Sequence, residues 1–271
     1  LPALRGHVPT KFNRYFEPFL GGGAFFFDLW TSGKLAGKRV FLSDRDPDLI
    51  NCFRAVRDDI DGVIGWVRYF EGAWIRRTRK LQEAYYYEVR DELNKQDPDE
   101  PRTCRAAKMI FLNRTGFNGV WRVNAKGEYN VPVGRPSKAD GSFKILDEEN
   151  LRACSRALRG VVLRKEGFQK AFARMKKGDF CYADCPYWPR NTTTADFTSY
   201  TKDGFSSADQ KALELEASAA HMFGVRVLLS NAAVTPVRQL YLGWKTQDVN
   251  ARRSVNSKTT ARGPVGELLI W

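Results

Sequence analysis

Histidine is nearly absent from this 271-residue chain, which carries only His7 and His221. Mechanisms built on a histidine general base are therefore disfavoured. The five cysteines (Cys52, Cys104, Cys154, Cys181, Cys185) are odd in number and scattered. Cys181-x-x-x-Cys185 has no second ligand pair nearby, so reduced thiols are expected, and neither a disulfide framework nor a metal site. No uninterrupted apolar run approaches the roughly 20 residues that span a bilayer. The opening LPALRGHVPTKF has no signal-peptide apolar region, which points to a cytoplasmic protein with no membrane partner. Internal repeats and low-complexity tracts are missing too. The glycine turn at Gly21-Gly22-Gly23 is not followed by Gly-Lys-Ser/Thr, which excludes a Walker phosphate loop.

What the chain has in excess is positive charge. Its formal net charge is +13, and the placement matters more than the size. Arg102 to Lys138 holds eight basic residues against Glu128 alone, and Lys245 to Val265 holds five against Asp248. Concentrated charge interleaved with Phe117, Trp121 and Tyr129 suits a polyanion better than a merely solvated face.

The order of elements predicts an α/β fold with a mostly parallel sheet covered on both faces. Strand-like Arg14–Phe19 leads through the glycine turn into a helix at Ala24–Trp30, then a strand at Lys38–Leu42 ending on Ser43-Asp44. Asp46-Pro47 can cap the next helix. Arg54 to Leu112 reads as mainly helical, and Asn113 to Arg135 as a hairpin with Asn-Ala-Lys-Gly at its tip. Alternation resumes with a helix (Asp147–Leu158), a strand (Val161–Arg164), a helix (Gln169–Met175) and a strand at Phe180. Ser206-x-x-Asp209 predicts a capping box opening a helix to Met222. Strands are expected at Val225–Leu229, Gln247–Ala251 and Glu267–Trp271. The division expected is a core of 1–52 and 144–271 around an inserted domain, 53–143.

Three constellations carry chemistry. The glycine turn lets a ligand approach the backbone, and Asp44, about twenty residues on at a strand end, stands where a doubly wound fold holds a ribose. YADCPYW (Tyr182–Trp188) sets a carboxylate, a proline and two aromatic rings at the end of a strand, as a pocket for a flat polar ring requires. Asn113 to Gly119 leads basic, amide-bearing side chains into the hairpin, and arginine and asparagine can make paired hydrogen bonds to guanine and adenine edges.

FEPFLGGGAFFFDL, LSDRDPDLI, LNRTGFNGVWRVNAKGEYNVPVGR, YADCPYW and RRSVNSKTTARGPVGELL, in this order, resemble the Dam-type DNA adenine-N6 methyltransferases over most of the chain. The resemblance implies a Rossmann-like core binding S-adenosyl-L-methionine, an inserted target-recognition domain and double-stranded DNA as partner, in a bacterial or phage-encoded protein, with a cognate restriction enzyme as a possible companion. It implies that Glu17, Pro18, Phe19, Gly21 and Gly23 line the methionine end of the cofactor, that Asp44 holds its ribose and that Phe168 lies near its adenine. Asp184, Cys185, Pro186 and Tyr187 match the catalytic Asp-Pro-Pro-Tyr loop, with cysteine standing where the family has proline; Asp184 also borders the cofactor. Phe117 and Val120 fall within the DNA stack, Arg122, Asn124 and Pro132 at base edges and Arg114 and Arg135 at the phosphates, with Asn118 and Lys126 as further DNA-binding positions. A GATC-type site follows from the Arg122, Asn124 and Pro132 match. The family's Trp-x-Gly-Gly-Lys segment is expected immediately before Leu1. An RNA adenine methyltransferase and a DNA-binding relative of weakened activity are the competing readings.

Overall fold

The computed structural model describes residues 1–136, 143–189, 204–252 and 264–271. In chain order these form α1 (Pro2–Arg5), β1 (Arg14–Glu17), α2 (Ala24–Thr31), β2 (Arg39–Asp44), α3 (Pro47–Asp58), α4 (Ile60–Ile75), α5 (Arg79–Asn94), α6 (Arg102–Thr115), a 3-10 turn (Phe117–Gly119), α7 (Glu148–Leu158), β3 (Val162–Lys165), α8 (Phe168–Phe172), β4 (Phe180–Asp184), α9 (Ser207–Met222), β5 (Arg226–Ala232), α10 (Thr235–Leu240), β6 (Thr246–Arg252) and β7 (Pro264–Ile270). Two compact units result. One takes Leu1–Arg45 and the described residues from Gly160 onward, and the other takes Asp46–Arg159.

The first unit is a seven-stranded sheet in the order β3-β2-β1-β4-β5-β7-β6. β1, β2, β3, β4 and β5 pair in parallel, while β7 runs antiparallel to both β5 and β6. Side chains alternate between the two faces of a strand. Phe16, Phe41, Cys181, Ala183, Val227, Leu229, Leu268 and Ile270 form one core with Phe168 and Phe172 of α8, Leu213 and Ala217 of α9, and Val237 of α10. Phe16 and Phe41, in register on β1 and β2, stack at 4.6 Å and 4°. On the opposite face Tyr182 meets Phe25 of α2 edge-on at 4.6 Å. Because both faces are covered, β5 is buried along Val227–Ala232, with Val227, Leu228 and Leu229 as its apolar run.

The chain leaves β1 toward β2 and β3, then returns to the other side of β1 as β4. That reversal is the point where an open α/β sheet receives ligands, beyond the carboxyl ends of its strands. Glu17, Asp44 and Asp184 close β1, β2 and β4 at that edge.

The expected cap and capping box are present. Asp46 accepts from the backbone N–H groups of Asp48 and Leu49, and Ser206 and Asp209 bond reciprocally. The units divide at Asp46 and Gly160 instead of at 53 and 144, because α3 packs on α6 and both α3 and α4 pack on α7. The expected helix over Gln169–Met175 begins earlier and is a short α8, and α1 and α10 carried no sequence signal strong enough to anticipate.

The expected hairpin is corrected in kind. Residues 116–133 close through two isolated antiparallel bridges, Gly116 to Val133 and Val123 to Tyr129, not through a ladder. Side chains of α5 supply the missing bonds. Asn94 both accepts from the Tyr129 N–H at 2.8 Å and donates to its carbonyl at 3.0 Å, as a neighbouring strand would. The Tyr86 hydroxyl donates to the Val131 carbonyl, and Arg79 donates to the carbonyl of Gly134. Trp121 donates its indole N–H to Asp46 at 2.5 Å and stacks on Tyr129 at 4.6 Å.

Candidate active site

The glycine turn is strapped to the end of β2. The Leu20 N–H donates to the Ser43 carbonyl and the Gly21 N–H to the Asp44 carboxylate at 3.1 Å. Gly21 and Gly23 sit at φ +47° and +66°, the left-handed region that glycine enters without a steric penalty. A Cβ built on Gly21 or Gly22 would meet nothing within 4 Å, so the space over the turn is open. Nearby, Phe168 is 1% exposed and stacks on the half-buried Phe19 at 5.5 Å, with Phe205 against both rings. Of the two predicted rings at the cofactor, Phe19 is therefore the accessible one, and Phe168 supports it from beneath. Pro18 is buried.

Glu17 is 2% exposed and accepts the Tyr15 hydroxyl at 2.7 Å. Burial, reinforced by the nearby Asp184 charge, pushes its carboxyl up to about 8. The Asp184 side chain reaches solvent from deep within its surroundings. Desolvation first, and then the charge of Glu267, raises its carboxyl to about 6. The Tyr187 hydroxyl donates to Asp184 at 3.2 Å, and burial followed by that carboxylate pushes the phenol well up. A chain of strong positive charge thus gathers three acidic groups where its sheet reverses. Such a site favours a cationic ligand, and an open glycine turn with Asp44 beside it accommodates a nucleoside. The residues present therefore fit S-adenosylmethionine, a sulfonium-bearing nucleoside.

Cys185 does not point into this space. Its thiol is 2% exposed, donates toward the Ser230 carbonyl at 3.5 Å and receives the Asn231 amide at 3.5 Å. It occupies core volume, which is why a cysteine can stand at this loop position. The Pro186 carbonyl accepts from Gln210 at 2.8 Å, and the Trp188 N–H donates to Asn231 at 2.9 Å.

Sequence reading missed Gln210, Asn231 and Glu267. Two signals were available. Gln210 shares the buried stripe of α9 with Leu213 and Ala217, and Asn231 interrupts the buried run of β5. A polar group in either place must find a partner.

In the second unit, Arg114 leaves the last turn of α6 exposed, and Phe117, Asn118, Lys126, Pro132 and Arg135 are exposed along the loop that follows. Asn118 adopts φ +54°. Val120 is half-buried. Arg122 is anchored by Asn130, which accepts its Nε at 2.9 Å. Asn124 serves the turn itself, accepting from the N–H groups of Lys126 and Glu128 and donating to the Glu128 carboxylate at 2.8 Å. The basic footprint is smaller than the sequence suggests. Arg105 forms a two-bond pair with Asp48, and Lys108 is 8% exposed between Glu92 and Glu100. Both are internal because α6 is packed by α3, α4 and α5. Lys138, Arg253, Lys258 and Arg262 lie outside the described residues.

Comparison with known proteins gives the family. A family model described as D12 class N6 adenine-specific DNA methyltransferase matches residues 1–255. The type II methyltransferase M.MjaIII of Methanocaldococcus jannaschii is 37% identical over 95% of this chain and 88% of that protein. The type II methyltransferase M1.LlaDCHI of Lactococcus lactis subsp. cremoris is 33% identical over 100% of this chain and 90% of its own length. A DNA adenine methylase of Vibrio cholerae serotype O1 is 30% identical over 98% and 89% respectively.

Proposed function

Because the chain belongs to the D12 class of N6 adenine-specific DNA methyltransferases, we propose that Asp184, Cys185, Pro186 and Tyr187 carry the methylation of adenine N6 in a GATC-type duplex site. S-adenosylmethionine, when bound, supplies an electrophilic sulfonium methyl. The observation that carries this reading is the meeting of Glu17, the open glycine turn and Asp184 at the reversal of strand order.

The adenine amino nitrogen is a weak nucleophile because its lone pair is delocalised into the ring. Acceptance of one amino hydrogen by the Asp184 carboxylate, and of the other by the Cys185 main-chain carbonyl, localises that pair on nitrogen. Tyr187 stacks on the base and holds it in line for displacement at carbon. The proton lost from N6 passes to Asp184. No histidine is needed. A base within a duplex cannot reach such a loop, so the target adenine is flipped out. Glu17, Pro18, Gly21 and Gly23 line the methionine end, Asp44 takes the ribose hydroxyls, and Phe19, stacked on Phe168, faces the cofactor's adenine.

In the recognition unit Phe117 and Val120 fill the stack vacated by the target. Arg122, held in place by Asn130, and Pro132 read base edges. Asn124 shapes the turn and reaches a base only if it gives up a turn bond. Arg114, Lys126 and Arg135 contact phosphates, and the exposed Asn118 is a further DNA contact. The work belongs in the cytoplasm with the genome. A cognate restriction enzyme at the same site is consistent with the type II names of two relatives.

The test uses tritiated S-adenosylmethionine with duplexes that contain or lack GATC, followed by nucleoside analysis. Label in N6-methyladenine only in the GATC duplex is the expected result. Label in every duplex discards the site, and transfer persisting in Asp184→Ala discards the residue assignment.

A further inference from the structure

The polar groups around the YADCPYW loop form one closed circuit. Asn231 Oδ1 accepts from two backbone N–H groups, Trp188 at 2.9 Å and Ala232 at 2.8 Å. Backbone amides only donate, so this end of the side chain must be its oxygen. Asn231 Nδ2 is then the donor to Gln210 Oε1 at 3.0 Å, and it also reaches the Cys185 thiol. With its oxygen taken, Gln210 presents Nε2 to the Pro186 carbonyl at 2.8 Å, a group that only accepts. Every direction in the circuit follows from the two ends. Gln210 is 2% exposed and Asn231 1%, so neither can exchange these partners for water.

The two bonds that this circuit makes to the loop flank a single residue. Gln210 holds the peptide plane between Pro186 and Tyr187 by its carbonyl, and Asn231 holds the plane between Tyr187 and Trp188 by its N–H. With both planes fixed, the backbone torsions of Tyr187 are fixed, and so is the point from which its ring projects. The Pro186 ring removes one further degree of freedom just upstream. We propose that Gln210 and Asn231 are positioning residues that clamp the two peptide planes of Tyr187 and so aim its ring and the loop carbonyls at the target base. The clamp is paid out of α9 and β5, rigid elements of the core, and it touches neither cofactor nor base. This inference rests on the assignment of Asp184–Tyr187 as the catalytic loop.

Gln210→Glu and Asn231→Asp are near-isosteric tests. The first, assayed at alkaline pH so that the new carboxyl is ionised, replaces the donor to the Pro186 carbonyl by an acceptor. The second, under the same conditions, removes the donor to Gln210 and keeps the acceptor for Trp188. Each is expected to lower the single-turnover methyl-transfer rate at least about tenfold, since a misplacement of about an ångström costs on the order of a hundredfold. S-adenosylmethionine and duplex dissociation constants should stay within about threefold, because the change falls on transition-state geometry and not on uniform binding. In a Tyr187→Ala background, Gln210→Glu should cost less than about twofold more, because residues acting through one another are non-additive. A general packing defect would instead lower the rate additively. Rates within about twofold of wild type in both variants, or an additive cycle, overturn the clamp while leaving the loop assignment standing. An unaffected rate in Tyr187→Ala alone would overturn the loop assignment itself. Should the variants fail to fold, hydrogen exchange on the wild-type protein decides. Slow exchange of the Trp188 amide, matched to β5, supports the clamp, and exchange at the rate of an open loop overturns it.

Discussion

At the scale of single residues, two carboxyl groups are held away from their ordinary ionisation. Glu17 is protonated near neutrality in the unliganded protein because burial raises it from 4.5 to about 8. The folded state therefore keeps a proton that the unfolded chain gives up. This contribution to stability is complete below 4.5 and is lost as pH rises through about 8. Urea unfolding at the two ends of that window should show the loss, and Glu17→Gln should flatten it by a few kcal/mol at most, on the order of the shift itself. Asp184 is raised to about 6, and only its carboxylate form can take up the proton lost from N6. The single-turnover rate should therefore climb with pH through a limb near that value, with Asp184→Asn inactive across the range. Cys185 makes a contrasting prediction. Buried, with its thiol pushed well up, it should resist alkylation by iodoacetamide in the folded protein and react after unfolding.

At the scale of elements, the recognition loop is held in part by a neighbouring helix. Its two isolated bridges are supplemented by side chains of α5. Asn94→Ala removes both bonds to Tyr129 and leaves two backbone groups unpaired. A loss of about 2 kcal/mol in stability is expected, with weaker site discrimination and unchanged S-adenosylmethionine affinity, read by denaturant unfolding, competition binding and calorimetry. Gly134 is required for a different reason. A Cβ there would lie 2.5 Å from the Gly116 carbonyl, so Gly134→Ala must force apart the two ends of the loop. α6 shows how a charge count misleads at this scale. Arg105 and Lys108 belong to the sequence's basic cluster, yet in the fold they neutralise Asp48, Glu92 and Glu100.

For the whole molecule, a net charge of +13 predicts DNA binding that weakens as salt rises, since phosphate contacts release counterions. The slope of log affinity against log salt distinguishes the two kinds of cation. Arg135→Ala should reduce the slope by about 1 and leave stability within about 0.5 kcal/mol, as for an exposed phosphate contact. Arg105→Ala should do the reverse. It leaves Asp48 without its partner and Glu100 with Lys108 alone, and costs about 3 kcal/mol, with the slope unchanged. An equal slope change in both would mean that Arg105 reaches DNA despite its pairing.

Local chemistry was enough to determine a good deal of this protein. The strand–turn–helix at Gly21–Gly23, the caps at Asp46 and Ser206, the alternation of strands and helices and the acid closing a strand in YADCPYW depend on neighbours a few residues apart, and the structure keeps each of them. The tertiary structure alone decided what distant residues do to one another. It chose which basic residues are spent on ion pairs, it replaced a hairpin ladder by side chains from α5, and it brought Gln210 and Asn231, 24 and 43 residues beyond their loop partners, to the planes around Tyr187. The reason is physical. Propensity and capping act through the backbone nearby, whereas a buried polar group is satisfied by whichever partner the packing of the sheet and its helices delivers, and one chain read in order does not contain that information.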